Sequence, residues 1–425
     1  MSMTNLWVKI VETSGARIYS LIVGMFSLFL TARLLGPEGR GSLAAITSWV
    51  ALFATVSGLS LGQVSQYRIQ VRRQENWLPG ILGTLGSVAV ITSIAAWAIA
   101  TLLFHLTNGI FFKGIPGNLL ILGFFMLPLM IWDEYSSSLL PATGLLRTYN
   151  IAQIAGRTLG LAVLFALVGQ LGLGIQGAIA AQIAGQAGIA MIAFYALWVR
   201  AGKHLFVETT EIFPLVKGSA KLHLNAIGAF VLGQATILML NHFATKAEIG
   251  WYQLSYQLIS VLLVIPQAAS VTLFSKMAET GPRDLWPEQK RLGWQLLFAI
   301  ILMSSVSYFL VPPVIIFFAG DAFAPSGRIF RMLLPVFFGM SFAAFMTNQW
   351  IGRGIFIPTT VITFVMAVIT MFINYFTIPR FGVDGAVWSM ILSFAVISPL
   401  IQCGFALYCN KDFRKNAPQA YAKKS

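Results

Sequence analysis

Residues 32–43 read ARLLGPEGRGSL. Apolar runs flank this stretch on both sides, each roughly 20 residues long, the length that crosses a bilayer core of about 30 Å. Between them lie Arg33, Glu38 and Arg40, set among Gly36, Pro37, Gly39 and Gly41. Glycine and proline this dense permit a tight reversal of the chain. The stretch therefore reads as a charged turn joining two membrane helices. Glu38 is expected to pair with Arg33 or Arg40 at the outer surface.

The turn returns. Residues 241–252 read NHFATKAEIGWY, again a short charged segment between apolar runs, with Gly250 standing 209 positions after Gly41. Two more anchors recur at an offset of 208: GIQGA at 174–178 against GVDGA at 382–386, and ATGLLR at 142–147 against WIGRGI at 350–355, where Gly144 meets Gly352. A chain that repeats at this interval is two similar halves joined near Gly202–Pro214.

Composition agrees. Of 425 residues, 57% are hydrophobic and 10% charged, and the mean hydropathy is +0.79. A soluble domain carries about 25% charge. The apolar residues fall into twelve runs, at about 10–34, 41–66, 80–104, 119–140, 148–168, 175–199, 215–243, 250–274, 294–318, 329–350, 355–376 and 382–408. The first could pose as a signal peptide, but the runs that follow make it a first membrane helix. The expected fold is an all-α polytopic membrane protein with twelve transmembrane helices. It divides into an N-terminal six-helix half at 1–205, a C-terminal six-helix half at 206–410 and a basic cytoplasmic tail at 411–425. Six is even, so the halves run in the same direction and relate by a pseudo-twofold axis along the membrane normal. Such repeats suit alternating access around a central site.

The net charge of +14 resides mainly in short loops and the tail, which points to membrane orientation rather than to a nucleic acid. With the N-terminus inside, 18 Lys and Arg fall on the inner side and 7 on the outer, while Arg17, Arg157 and Lys221 lie in or near spans. Both termini are thus expected in the cytoplasm. No phosphate-binding loop and no dinucleotide fingerprint is present, the four His show no zinc-like spacing, and Cys403 and Cys409 imply no disulfide framework. No metal and no cofactor is expected. No outer loop is long enough to carry the catalytic residues of a membrane polymerase or ligase, so the chain does not read as an enzyme.

Polar residues line single helix faces at steps of three and four. The first run carries Arg17, Ser20, Gly24, Ser27 and Thr31; the second Thr55, Gly58, Gly62 and Ser65; the fifth Asn150, Gln153, Arg157 and Gly160; the eighth Gln253, Gln257, Ser260 and Gln267. The glycines read as helix-packing surfaces, whereas the amides suit a hydrated, sugar-binding cavity. Charges inside a membrane usually pair or face water. Arg17, Arg157 and Lys221 all fall toward the inner side and could form a basic vestibule for a pyrophosphate, since a planar guanidinium grips phosphate oxygens in pairs. Asp133 and Glu134 fall at the depth of Arg157. Each is either its ion-pair partner or the carrier of a coupling proton or sodium ion. Lys221 has a second reading as a snorkelling interfacial lysine.

Several of these segments resemble one known family. They are TARLLGPEGRGSLAAI after the first helix, LSLG at 59–62, the Gly352–Arg353–Gly354 spacing and NYFTIPRFGVDGAVWS at 374–389. The chain resembles the polysaccharide transporters, the Wzx-type O-antigen flippases, of the multidrug/oligosaccharidyl-lipid/polysaccharide (MOP) exporter superfamily. The resemblance implies a MATE-like fold in the bacterial inner membrane. The implied activity moves an undecaprenyl-pyrophosphate-linked oligosaccharide from the cytoplasmic to the periplasmic leaflet, with polysaccharide-assembly proteins as partners. Twelve spans, rather than the fourteen of the peptidoglycan-precursor flippase, favour the O-antigen type. The rival reading is a multidrug or cation antiporter of the same superfamily.

Overall fold

A computed structural model of the chain describes residues 3–71, 77–270, 286–352, 357–405 and 407. The Arg17 side chain, the Arg353 turn, Cys409 and the basic tail lie outside the described residues. Among those described, the secondary structure is helical and no strand occurs. The helices are α1 Met3–Gly58, α2 Leu61–Val71, α3 Leu78–Leu106, α4 Gly117–Phe124, α5 Leu127–Ala142, α6 Leu146–Leu164, α7 Gly174–Arg200, α8 Thr209–Phe230, α9 Thr236–Phe243 and α10 Lys246–Leu262. Beyond them lie α11 Trp286–Ala319, α12 Ala324–Gly352 and α13 Ile357–Met390.

Among the described residues, ten helical segments are long and apolar enough to cross a membrane. The sequence gives twelve runs because the first pair and the last pair each follow one another as continuous helix. Ile18–Gly58 is 41 residues long and Thr360–Phe405 is 46. Each is broken inside by a glycine with non-helical geometry, Gly36 (φ 66°) and Gly382 (φ 55°). Both glycines occupy the left-handed region that other residues avoid, and Pro37 follows Gly36 with the fixed φ that starts a helix.

The chain divides into two compact units, Met1–Leu254 with Ile315–Ala324, and Ser255–Val314 with Pro325–Ser425. In the first, a core of Ile46, Leu85, Tyr135, Leu139 and Leu197 is almost wholly buried. Its outward face keeps Ile91, Ile94 and Phe213 exposed, the arrangement expected where lipid replaces water as the solvent. The connector after α7 is tied down at the start of α3. The Glu208 amide donates to Thr84 Oγ1 at 2.9 Å, and a Cβ on Gly83 would overlap the Phe206 carbonyl. Arg68 at the end of α2 pairs with the buried Glu211 at the start of α8.

The repeated turn packs on its own repeat. The second copy starts α10 with a capping box: the Glu248 amide donates to Thr245 Oγ1 at 3.3 Å, and Glu248 Oε2 accepts the Thr245 amide at 2.8 Å. Lys246 is then the first residue of its helix, as Pro37 is of its own. A Cβ on Gly41 would overlap the Lys246 carbonyl, and a Cβ on Gly250 would overlap the Pro37 carbonyl. Each glycine, four residues into its helix, meets the first carbonyl of the other.

In the second unit, Ser255 Oγ donates to the Ser326 carbonyl at 2.8 Å. Arg328 pairs with Asp384 at 2.6 Å, and the Arg331 guanidinium stands 4.8 Å over the Tyr308 ring. A Cβ on Gly339 would overlap the Phe394 carbonyl, so α12 lies directly against the turn of π-helix at Ile391–Ile397.

Candidate functional site

The first unit holds an open cavity of about 320 Å³ with a partly polar lining. Its walls come from α1, α5, α6 and α7. Glycines bring the last two close enough to form one wall. A Cβ on Gly156 would stand 2.6 Å from the Gly185 carbonyl oxygen, and a Cβ on Gly185 3.0 Å from that of Gly156. This is the small-residue packing that lets membrane helices approach. The polar faces of the first and fifth apolar runs meet across the cavity: Gly24, Ser27 and Thr31 on α1 face Gln153, Arg157 and Gly160 on α6.

Arg40 also lines this cavity. The expected surface position is corrected here. Arg40 is only 6% exposed and donates from Nη1 to Thr31 Oγ1 at 2.7 Å. The kink at Gly36 folds the second segment of α1 back along the first, which carries the guanidinium inward. Thr31 is fixed in turn by donating to the Ser27 carbonyl at 2.7 Å. Glu38 remains exposed, and Arg33 donates to the Phe317 carbonyl at 3.2 Å.

Asp133 and Glu134 diverge. Successive helical residues point about 100° apart. Asp133 therefore faces the cavity, where Gln153 Nε2 donates to its Oδ1 at 3.4 Å. Among the described residues neither carboxylate forms an ion pair with Arg157. Arg157 lines the same cavity while remaining exposed, so it sits at the mouth. Glu134 faces the second polar stripe instead. A Cβ on Gly58 would stand 3.4 Å from its Oε2, and that oxygen is buried with no hydrogen-bond partner. Next to it the helix breaks at Leu59 and Ser60, both at positive φ, and the Tyr135 hydroxyl donates to the Gly58 carbonyl at 2.9 Å.

The remaining expected residues lie elsewhere. Lys221 is exposed on α8 and lines no part of the cavity. Gln253 is buried on α10, with an amide oxygen that lacks a hydrogen-bond partner. Gln257 is part of the second unit. Two cavity residues besides Arg40 escaped the sequence reading: Gln182 and Gln186 on α7, the latter with a buried amide oxygen lacking a partner. Their spacing of four in an otherwise apolar run was the available signal. The cavity thus presents two guanidiniums, three primary amides and two hydroxyls against one carboxylate. That set suits an anionic, hydroxyl-rich group better than an organic cation.

No family model and no curated protein matches the chain. Solved structures do. An inward-facing multidrug resistance MATE family transporter of the MOP superfamily superposes with a TM-score of 0.73 at 13% identity, covering 94% of this chain and 96% of that one. The lipid II flippase MurJ in an inward closed conformation gives 0.71 at 15% identity, covering 94% and 87%. A MOP superfamily transporter from Pyrococcus furiosus, described as having a binding pocket of reverse polarity, gives 0.63 at 15%, covering 94% and 95%. Over nearly its whole length, the chain has the fold of the MOP-superfamily transporters.

Proposed function

We propose that the chain is a lipid-linked oligosaccharide flippase. It would carry an undecaprenyl-pyrophosphate-linked repeat unit, of O-antigen or a related surface polysaccharide, from the cytoplasmic to the periplasmic leaflet of a bacterial inner membrane. The observation that carries this reading is the cavity's chemistry. Arg40 and Arg157 offer paired donors to a pyrophosphate, and Gln153, Gln182 and Gln186 offer exchangeable partners to sugar hydroxyls. The polyprenyl tail stays in lipid. The two six-helix halves, 1–205 and 206–410, rock about a twofold axis with both termini in the cytoplasm, the twelve runs giving twelve crossings. Arg17, three positions before Ser20 in the sequence, is a further proposed substrate-binding residue. Lys221, Gln253 and Gln257, none of which lines the cavity, remain further proposed substrate-binding residues. No covalent step and no cofactor is part of this reading, and polysaccharide-assembly enzymes act before and after it. Glu134, a carboxylate without a hydrogen-bond partner on its buried oxygen beside a broken helix, is the candidate site for a coupling proton or sodium ion.

Glu134 also favours the second reading, a multidrug or cation antiporter, as does the likeness to MATE transporters. One experiment separates them. Cells lacking the chain should accumulate lipid-linked oligosaccharide in the cytoplasmic leaflet, and the purified protein in liposomes should move that lipid across. Accumulation of a cationic dye with no change in lipid-linked sugars would establish the antiporter. Arg157→Lys should retain part of the flipping, because a point charge replaces a planar fork, and Arg157→Gln should lose most of it. The double variant Arg157→Gln with Asp133→Asn isolates the role. If it restores both folding and flipping, Arg157 serves only to balance Asp133.

A further inference from the structure

A second hollow lies behind the cavity wall, on the outward side of the first unit. It is an open groove of about 700 Å³ between α3 and the break that separates α4 from α5. Neighbouring residues at that break face opposite ways. Met126 lines the cavity and is 6% exposed, whereas Phe125 lines the groove and is 53% exposed. Trp97 on α3 meets Phe125 edge-on, with ring centroids 5.1 Å apart, and so joins the two sides of the groove. Ala98 is exposed and leaves room on the α3 side. Ser93 is buried, and its hydroxyl is spent on the Ala89 carbonyl of its own helix at 2.6 Å.

Three observations bear on what fills this space. The groove is continuous with the apolar face on which Ile91 and Ile94 are exposed, so the medium around it is hydrocarbon. Its length fits one leaflet. Ser93 stands midway along α3 and His105 one residue before its end. The rise between them is about 18 Å, against about 15 Å for half of a bilayer core about 30 Å thick. A long polyprenyl tail would overrun such a groove, and an acyl chain would not. Its charge also fits. His105 is exposed and lines the groove's end, and the loop that follows, residues 107–116, carries Lys113 and no carboxylate. An imidazole N–H there would give a phosphate a charge-assisted hydrogen bond.

We propose that the groove is a binding site for one phospholipid, with an acyl chain along α3 and the phosphate on His105. The chain packs behind the α4–α5 break, where Pro128 has no amide hydrogen to donate to the Phe124 carbonyl, and braces the cavity wall at Met126. The site goes beyond the cargo reading and stands whichever molecule crosses the membrane.

The test uses phosphatidylglycerol with a diazirine in its acyl chain. The purified protein is washed in detergent, incubated with this lipid, irradiated and mapped by peptide mass spectrometry. Adducts on Ala98 and Phe125 should exceed those on Ile99, which is 52% exposed on α3 but outside the groove, by about tenfold. Ala98→Trp fills the groove and should lower the Phe125 adduct about tenfold. His105→Ala should raise the lipid concentration for half-maximal labelling about tenfold, and His105→Gln, which keeps a donor, should recover most of that loss. Added phosphatidylglycerol should raise the melting temperature of the parent protein and not that of Ala98→Trp. Equal labelling of Ala98 and Ile99, or labelling unchanged in both Ala98→Trp and His105→Ala, would overturn the site and leave only the surrounding bilayer lipid. Competition by a polyprenyl phosphate but not by unlabelled phosphatidylglycerol would overturn the phospholipid assignment. If Ala98→Trp fails to fold, His105→Ala and its glutamine counterpart decide.

Discussion

At the scale of single residues, the cavity depends on Arg40 being held in place on its wall, buried from bulk solvent. A buried guanidinium with a removed acceptor forfeits a charge-assisted hydrogen bond, at a cost of about 1.5–3 kcal/mol. Thr31→Val removes that acceptor while keeping the side chain's shape. Its expected result is a lower melting temperature in detergent, and Thr31→Ser should restore most of the loss. An unchanged melting temperature for Thr31→Val would show that the 2.7 Å bond from Arg40 contributes nothing. Arg40 was illegible in the sequence for a definite reason. A charged residue in a Gly- and Pro-rich turn reads as surface, and only the direction of the Gly36 kink tells which way the returning helix rotates it. Arg157, Gln153 and Asp133 were legible because the intramembrane cost of polar groups makes each of them conspicuous in an apolar run. What the sequence could not show was their pairing, since a helix step of 100° sends Asp133 to Gln153 and Glu134 to Gly58.

At the scale of elements, the glycines divide into those that hold helices together and those that leave space, although in the sequence they look alike. Gly156 and Gly24 both stand on polar stripes, and both line the cavity. A side chain on Gly156 would collide with Ile189 and the Gly185 carbonyl, whereas one on Gly24 meets nothing within 4 Å. Gly156→Val should therefore force α6 from α7. Overpacking of this kind costs about 1–3 kcal/mol, more where the obstacle is backbone, and should appear as poor recovery of monodisperse protein. Gly24→Val should fold normally and occupy part of the 320 Å³ cavity, reducing transport without reducing expression. The reverse pattern would mean that the α6–α7 contact is not the wall of the site. The existence and type of the helices were legible because long apolar runs admit little else in a bilayer. The helix breaks at Leu59–Ser60 and at Phe125–Met126 were not, because their only local signals are the neighbouring Gly58 and Pro128, and both residue types also occur within continuous membrane helices.

At the scale of the whole molecule, the remaining quantity is direction. Helices and cavity look the same whichever face is cytoplasmic, so orientation must come from charge. The proposed topology, resting on the 18-to-7 division of Lys and Arg because basic loops resist translocation, has the loop after α7 inside and the loop after α3 outside. Asn108 and Lys203 mark these loops, and both are exposed. Each adopts positive φ, so a substitution there alters a turn rather than a membrane helix. In a background with Cys403→Ser and Cys409→Ser, Asn108→Cys should react with an impermeant maleimide added to intact cells, and Lys203→Cys should react only after lysis. The opposite pattern would invert the molecule. Arg157, at the mouth of the cavity, would then open toward the periplasm, where the proposed cargo, made in the cytoplasm, could not first engage it. Orientation thus decides whether the cavity's basic mouth receives cargo or releases it, and the two-site labelling answers that without knowledge of the sugar.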